Sequence, residues 1–166
     1  QETAQLIARN NFKWTELCFT ATDSKYWVYN GRSDISDLTD ERAAEIVDTY
    51  RKENVIVTSI GVFTNLIEPD DQELDANLSY FERHIEIAGK NGVPYVATEC
   101  GFVPGKRGIQ VETYESAFQR LVDSMKRLAK KAEEYDVYIA LETCVLDVVP
   151  SAKRAADFIN QVGSDR

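Results

Sequence analysis

Glu16, Glu99 and Glu142 recur in one kind of setting. Glu16 lies in Thr-Glu-Leu-Cys-Phe, Glu99 in Ala-Thr-Glu-Cys-Gly-Phe and Glu142 in Ala-Leu-Glu-Thr-Cys-Val. Each sits near the C-terminal end of an otherwise apolar, strand-like run. A carboxylate held in such a run is costly unless it is paired or bound to a cation. Carboxylates converging on one site repel one another, and a divalent cation or a basic group of a substrate relieves that repulsion. Local pairing of each glutamate with a lysine or arginine of a neighbouring loop is the competing account. It serves for one glutamate better than for all of them together.

Other residue types narrow the chemistry. His84 is the only histidine, in Phe-Glu-Arg-His-Ile-Glu, and the helical spacing around it makes it a surface or helix-packing residue. A Ser-His-Asp triad and a histidine-rich zinc site therefore cannot be assembled from these residues, and a Cys-His nucleophile lacks its partner. Cys18, Cys100 and Cys144 are odd in number, form no CxxC pair and lie in apolar runs. They read as core cysteines of a reducing compartment, which places the protein in the cytoplasm. Gly101 to Gly108 reads Gly-Phe-Val-Pro-Gly-Lys-Arg-Gly. Arginine follows the Gly-Lys where a phosphate loop needs serine or threonine. A mobile active-site loop carrying Lys106 and Arg107 as cations is the better reading.

The elements that would position these residues alternate. Glu2 to Asn10 reads as the end of an amphipathic helix. Trp14–Phe19 is a short apolar strand, followed by a polar loop with Tyr26, Trp27 and Tyr29. Thr39 or Asp40 caps a helix reaching Glu53. Val55–Phe63 is β-branched and strand-like. From Asp70-Asp71 a helix runs through Ala88, its stripe marked by Leu74, Leu78, Phe81 and Ile85, and Gly92 ends it. Tyr95–Gly101 is a third strand. Tyr114 to Tyr135 is a long helix with Phe118, Leu121, Val122, Met125 and Leu128 inward. Tyr138–Val145 is a fourth strand, and Ser151 to Val162 a last helix before Gly163.

Strand and helix in alternation, with a period of roughly 40 residues, predict βαβ units and a parallel sheet. The near-continuous apolar strands predict that both sheet faces are buried. No GxGxxG or GxxxxGK[ST] follows an early strand, which favours a barrel over an open dinucleotide-type sheet. A whole (β/α)₈ barrel takes about 250 residues, so these 166 residues fit part of one. No low-complexity linker divides the chain, which reads as a single domain, residues 1–166.

The chain is 43% hydrophobic and 28% charged, with net charge −9. Nucleic-acid binders carry a basic field because counterion release drives their affinity, so this balance argues against such a partner and against a membrane surface. The basic clusters Lys126-Arg127, Lys130-Lys131 and Lys153-Arg154 lie beside acids and read as solvated helix faces.

Three segments carry a resemblance: Tyr80-Phe-Glu-Arg-His-Ile-Glu-Ile-Ala-Gly-Lys-Asn-Gly92, Tyr95-Val-Ala-Thr-Glu-Cys-Gly101 and Ala132-Glu-Glu-Tyr-Asp-Val-Tyr-Ile-Ala-Leu-Glu142. They resemble the xylose-isomerase-like TIM-barrel family, which includes sugar-phosphate isomerases and epimerases and AP-endonuclease-like enzymes. The resemblance implies a partial barrel, about strands 2 to 5 with helices 1 to 5. It implies a sugar or sugar-phosphate isomerase or epimerase using manganese, magnesium or zinc and moving a proton next to a carbonyl. Glu142 matches the family's first metal ligand and is the expected catalytic group. Glu16, Glu99, Trp27 and Lys106 are the expected substrate-binding residues, although Trp27 and Tyr26 would equally suit a lid over the barrel rim. The family's further ligands come from later strands. The chain alone is therefore expected to bind metal weakly and to be inactive, and the open strand edges and uncovered inner face of a partial barrel are expected to make it self-associate, as a homodimer most simply. A non-catalytic module that kept the fold is the alternative.

Overall fold

A computed structural model describes residues 1–19, 30–103, 105–106 and 108–166. The element order is α1 (Glu2–Arg9), β1 (Trp14–Leu17), α2 (Asp40–Lys52), β2 (Ile56–Gly61), α3 (Asp71–Lys90), β3 (Tyr95–Thr98), α4 (Tyr114–Tyr135), β4 (Tyr138–Leu141) and α5 (Ala152–Val162). A single 3₁₀ turn, Val111–Thr113, leads into α4.

Local chemistry sets the helix ends. Of the two candidate caps for α2, Thr39 serves, its hydroxyl accepting from the Arg42 N–H. The Asp70 carboxylate accepts from the N–H groups of Gln72 and Glu73 at the start of α3. Gly92 follows α3 with φ 64°, the left-handed conformation that glycine adopts without penalty. The strands are shorter at their C-terminal ends than the apolar runs suggest, because the chain leaves the ladder there to form rim loops.

The strands form one parallel sheet in the order β1-β2-β3-β4. Sequential order with right-handed crossovers puts every connecting helix on the same face, which is barrel-type winding and not the doubly wound alternative. The burial pattern agrees. Val57, Ile60, Val96 and Thr98 point toward the helices and are buried, while Trp14, Ile56, Tyr95 and Tyr138 on the other face are exposed. The expectation that both faces are covered thus fails within this chain. Ile60 and Val96, whose parity places them under α2, α3 and α4, are fully buried, whereas Ala140 lies on the exposed face.

The β1–β2 register shifts by one residue. Thr15 pairs with Val57, but Glu16 pairs with Ser59, leaving Thr58 as the extra residue. Beyond it, β2 and β3 pair Ile60 with Val96, and β3 and β4 pair Thr98 with Leu141.

His84 is a packing residue. It is 1% exposed, its Nδ1 lies 2.8 Å from the Tyr80 carbonyl oxygen, and its ring packs against Tyr80 and Phe19. Burial lowers its pKa to about 4. One residue of each basic cluster is paired: Arg127 spans from α4 to Glu82 and Asp75 of α3, Lys131 to Glu86, and Arg154 to Glu115.

Candidate active site

Strand parity assembles the site. On the helix-free face, β1 presents Trp14 and then Glu16, β2 presents Ser59 and Gly61, β3 presents Tyr95 and Ala97, and β4 presents Tyr138 and Ala140. Continuing that alternation by one step past Thr98 and Leu141 brings Glu99 and Glu142 to the same face and the same level. The Glu142 N–H donates to the Thr98 carbonyl at 2.8 Å, so the ladder persists to this residue. Adjacent strands lie about 4.8 Å apart, so the two glutamates are neighbours at the carboxyl edge of the sheet. In parallel α/β folds that edge is where ligands bind.

Glu16 stands on β1, two strands from Glu99, and pairs with Ser59, which pairs in turn with Tyr95, so by register it lies below the glutamate pair. Its side chain is exposed and its Oε2 accepts a hydrogen bond from the Ser59 hydroxyl at 2.8 Å. A Cβ on Gly61 would meet Glu16 Oε1 at 2.9 Å and Cys18 Sγ at 2.8 Å, so glycine at 61 makes room for both side chains. Burial raises the Cys18 pKa, and the Glu16 charge beside it pushes the same way. Glu99 is half-buried and Glu142 is exposed.

Cys100 next to Glu99 turns to the opposite side and is fully buried. Burial, with Asp147 as the next cause, pushes its thiol up to about 12. It is a core residue and not a nucleophile, as the sequence suggests for the cysteines. Lys106 is exposed, with its backbone N–H on the Val103 carbonyl. It borders a small cavity of about 20 Å³, together with Thr113 and Tyr114 at the start of α4 and the buried Asp147. Trp27 and Tyr26 lie outside the described residues.

Ser59 and Gly61 do not stand out in the sequence. A serine inside the β-branched run of β2 was a legible signal, since a hydroxyl there needs a partner. The bulge that lifts Ser59 rather than Thr58 to the level of Glu16 left no trace in the residue pattern.

A metal fits these residues poorly. Among the described residues no group of three or more His, Cys, Asp or Glu side chains is placed to hold an ion. Glu142 and its neighbours present oxygen donors of the right kind, but not a ligand set.

The fold has wide counterparts among solved structures. D-psicose 3-epimerase with D-tagatose from Clostridium cellulolyticum H10 superposes with a TM-score of 0.72 at 18% identity, covering 99% of this chain and 54% of that one. A D-psicose 3-epimerase in the presence of D-fructose gives 0.74 at 17% identity, again over 99% and 54%. A xylose isomerase-like TIM-barrel protein from Mycobacterium smegmatis in complex with magnesium gives 0.68 at 18%, over 99% and 53%. The chain thus spans about half the length of these structures. No sequence among the curated proteins matches it. The family model described as xylose isomerase-like TIM barrel matches residues 4–166. With that match over nearly every residue, and a sequential parallel sheet wound on one side, the chain belongs to the xylose isomerase-like TIM-barrel family.

Proposed function

We propose that the protein formed by this chain is a sugar or sugar-phosphate isomerase or epimerase that moves a proton on the carbon next to a carbonyl. The observation that supports this reading is the Glu142 N–H donating to the Thr98 carbonyl at the end of the β3–β4 ladder, from which strand alternation carries Glu99 and Glu142 to the carboxyl edge of adjacent strands. Glu142 is the proton-transferring group, exposed to an incoming ligand. Glu99, half-buried beside it, accepts hydrogen bonds from substrate hydroxyls. Glu16, two strands away on β1 and held by Ser59, is a further substrate-binding carboxylate. Lys106 on the loop after β3 supplies a cation toward a phosphate or carbonyl oxygen, and Trp27 a stacking surface for the sugar ring. A carboxylate within hydrogen-bond reach of an acidic C–H takes the proton as general base and returns it on its own face, so inversion draws on a second acid on the opposite face of the sugar.

The solved epimerases carry D-tagatose and D-fructose, which makes a ketose the first substrate class to try. A divalent metal of the kind bound in the Mycobacterium smegmatis protein would polarise the carbonyl. Its ligand set requires groups beyond those the described residues bring together, so no step is assigned to it. A sugar is the partner, and the acidic charge leaves nucleic acid without an attractive field.

Solvent deuterium tests the reading. Incubation of D-tagatose or D-fructose in D₂O with the full-length protein and Mn²⁺, Mg²⁺ or Zn²⁺ places deuterium on the carbon next to the carbonyl. Glu142→Gln lowers that rate by about a hundredfold or more. Absence of exchange with ketoses and their phosphates, under every metal, removes the proposal. The second reading, a non-catalytic module that kept the fold, draws on the lack of a metal-holding group among the described residues. Sugar binding without exchange would favour it.

A further inference from the structure

The geometry points to Asn30 as a latch that ties the rim of the candidate site together, holding the loop after β3 to the segment that returns from β1. This goes beyond the isomerase reading and does not depend on it. Asn30 Nδ2 donates to the Phe102 carbonyl at 3.1 Å, and Asn30 Oδ1 accepts from the Phe102 N–H at 3.0 Å. One side-chain amide thus satisfies both backbone groups of a residue 72 positions away, in the manner of a strand partner. Among side chains of that length, asparagine alone offers a donor and an acceptor in one plane.

The surroundings are shaped for this contact. Asn30 has φ 60°, a left-handed conformation that asparagine tolerates better than most residues. Gly101, just before Phe102, has φ 81°, and a Cβ there would lie 2.5 Å from Asn65 Oδ1 and 2.9 Å from Asn30 Oδ1. A side chain at 101 would therefore push the amide off its partner. The next residue, Gly31, donates its N–H to the Phe63 carbonyl just past β2. Two consecutive residues thereby reach the ends of two strands.

The other side of the same segment is anchored to α3. The Ser33 and Tyr80 hydroxyls share a hydrogen bond of 2.9 Å, and Arg32 binds Asn77 and ion-pairs with Glu73. Residues 30–33 form a strap from α3 across the carboxyl ends of β2 and β3. Exposed loops ordinarily open locally at low cost. With the latch closed, the loop carrying Lys106 is tied at its root to the strap.

Amide exchange followed residue by residue by NMR on the chain tests the latch. Asn30→Gly removes the amide while keeping the left-handed backbone free of strain. Asn30→Asp keeps the acceptor but sets a carboxylate against the Phe102 carbonyl. The Phe102 N–H exchanges about tenfold faster in Asn30→Gly and by a smaller factor in Asn30→Asp, with Ile60 and Val96 at wild-type rates. Tryptic cleavage after Lys106 accelerates in the same order. Unchanged exchange at Phe102 in both variants overturns the proposal. So does an equal acceleration of Phe102, Ile60 and Val96, which would assign Asn30 to global stability instead.

Discussion

Glu16 and Ser59 meet because one extra residue in β2 shifts the register between two paired positions. At this scale the chemistry of single groups makes definite predictions. His84 is buried and neutral, with a pKa near 4 in the folded chain against 6.5 when exposed. A lowered histidine pKa means that the folded state resists protonation. Its contribution to stability is intact above pH 6.5, falls as pH drops through the interval, and is lost near pH 4. At about 1.4 kcal/mol per pKa unit, the loss comes to roughly 3 kcal/mol. Urea titrations between pH 7 and pH 4 should show it, and His84→Leu should flatten that part of the profile. An unchanged slope in the variant would place the acid sensitivity elsewhere. Metal binding is the other prediction at this scale. The isolated chain takes up Mn²⁺ only weakly in calorimetry, since structural and catalytic sites draw on about three protein ligands. Tight one-to-one binding would show a ligand set that the described residues do not reveal.

Packing between elements depends on close approaches that propensity cannot anticipate. Gly89 lies in α3, where alanine would ordinarily favour the helix by about 1 kcal/mol. A Cβ at this position would sit 2.6 Å from the Tyr135 carbonyl oxygen and 2.7 Å from its Cβ, both on the last turn of α4. That backbone oxygen cannot swing aside as a flexible side chain would. Gly89→Ala is therefore expected to destabilise the chain by about 1–3 kcal/mol in thermal or urea unfolding, against the direction of helix propensity. A gain in stability would show that the ends of α3 and α4 separate readily. The helices themselves were plain in the sequence. Leu78, Phe81, Ile85 and Ala88 in α3, and Phe118, Leu121, Val122, Met125 and Leu128 in α4, are buried as their spacing requires. Strand ends were less plain, since an apolar run continues into the rim loops after the backbone leaves the ladder.

Across the whole molecule, exposed apolar side chains lie on the helix-free face as two cross-strand pairs, Trp14 with Ile56 and Tyr95 with Tyr138. Trp14 is 66%, Ile56 56%, Tyr95 44% and Tyr138 42% exposed, and the ring centroids of Tyr95 and Tyr138 are 5.8 Å apart. β1 and β4 are the edges of the sheet. Exposed apolar surface beside open strand edges favours association. The isolated 166-residue chain is expected to self-associate, with a two-fold dimer the simplest product for identical copies. Sedimentation velocity over a range of concentrations checks this. A monomer of 18.8 kDa that binds no hydrophobic dye would show that these pairs are tolerated in water. Among the described residues no helix is long and apolar enough to cross a membrane.

The alternation of apolar runs and amphipathic helices was sufficient in the sequence to specify a parallel α/β chain, and its motifs to suggest the family, because periodicity is a local property of consecutive residues. It also located Glu99 and Glu142 at strand ends, since a carboxylate closing an apolar run is visible in one dimension. Tertiary structure decided which face each residue takes. Ile60 and Val96 turned out to be buried because parity and a single bulge, not hydrophobicity, select the side of a strand. The pairing of Glu16 with Ser59 and the closure of Asn30 on Phe102 join residues 43 and 72 positions apart. Such contacts arise from register and from the path of loops across the sheet edge, which depend on every intervening turn together and leave no pattern in neighbouring residues.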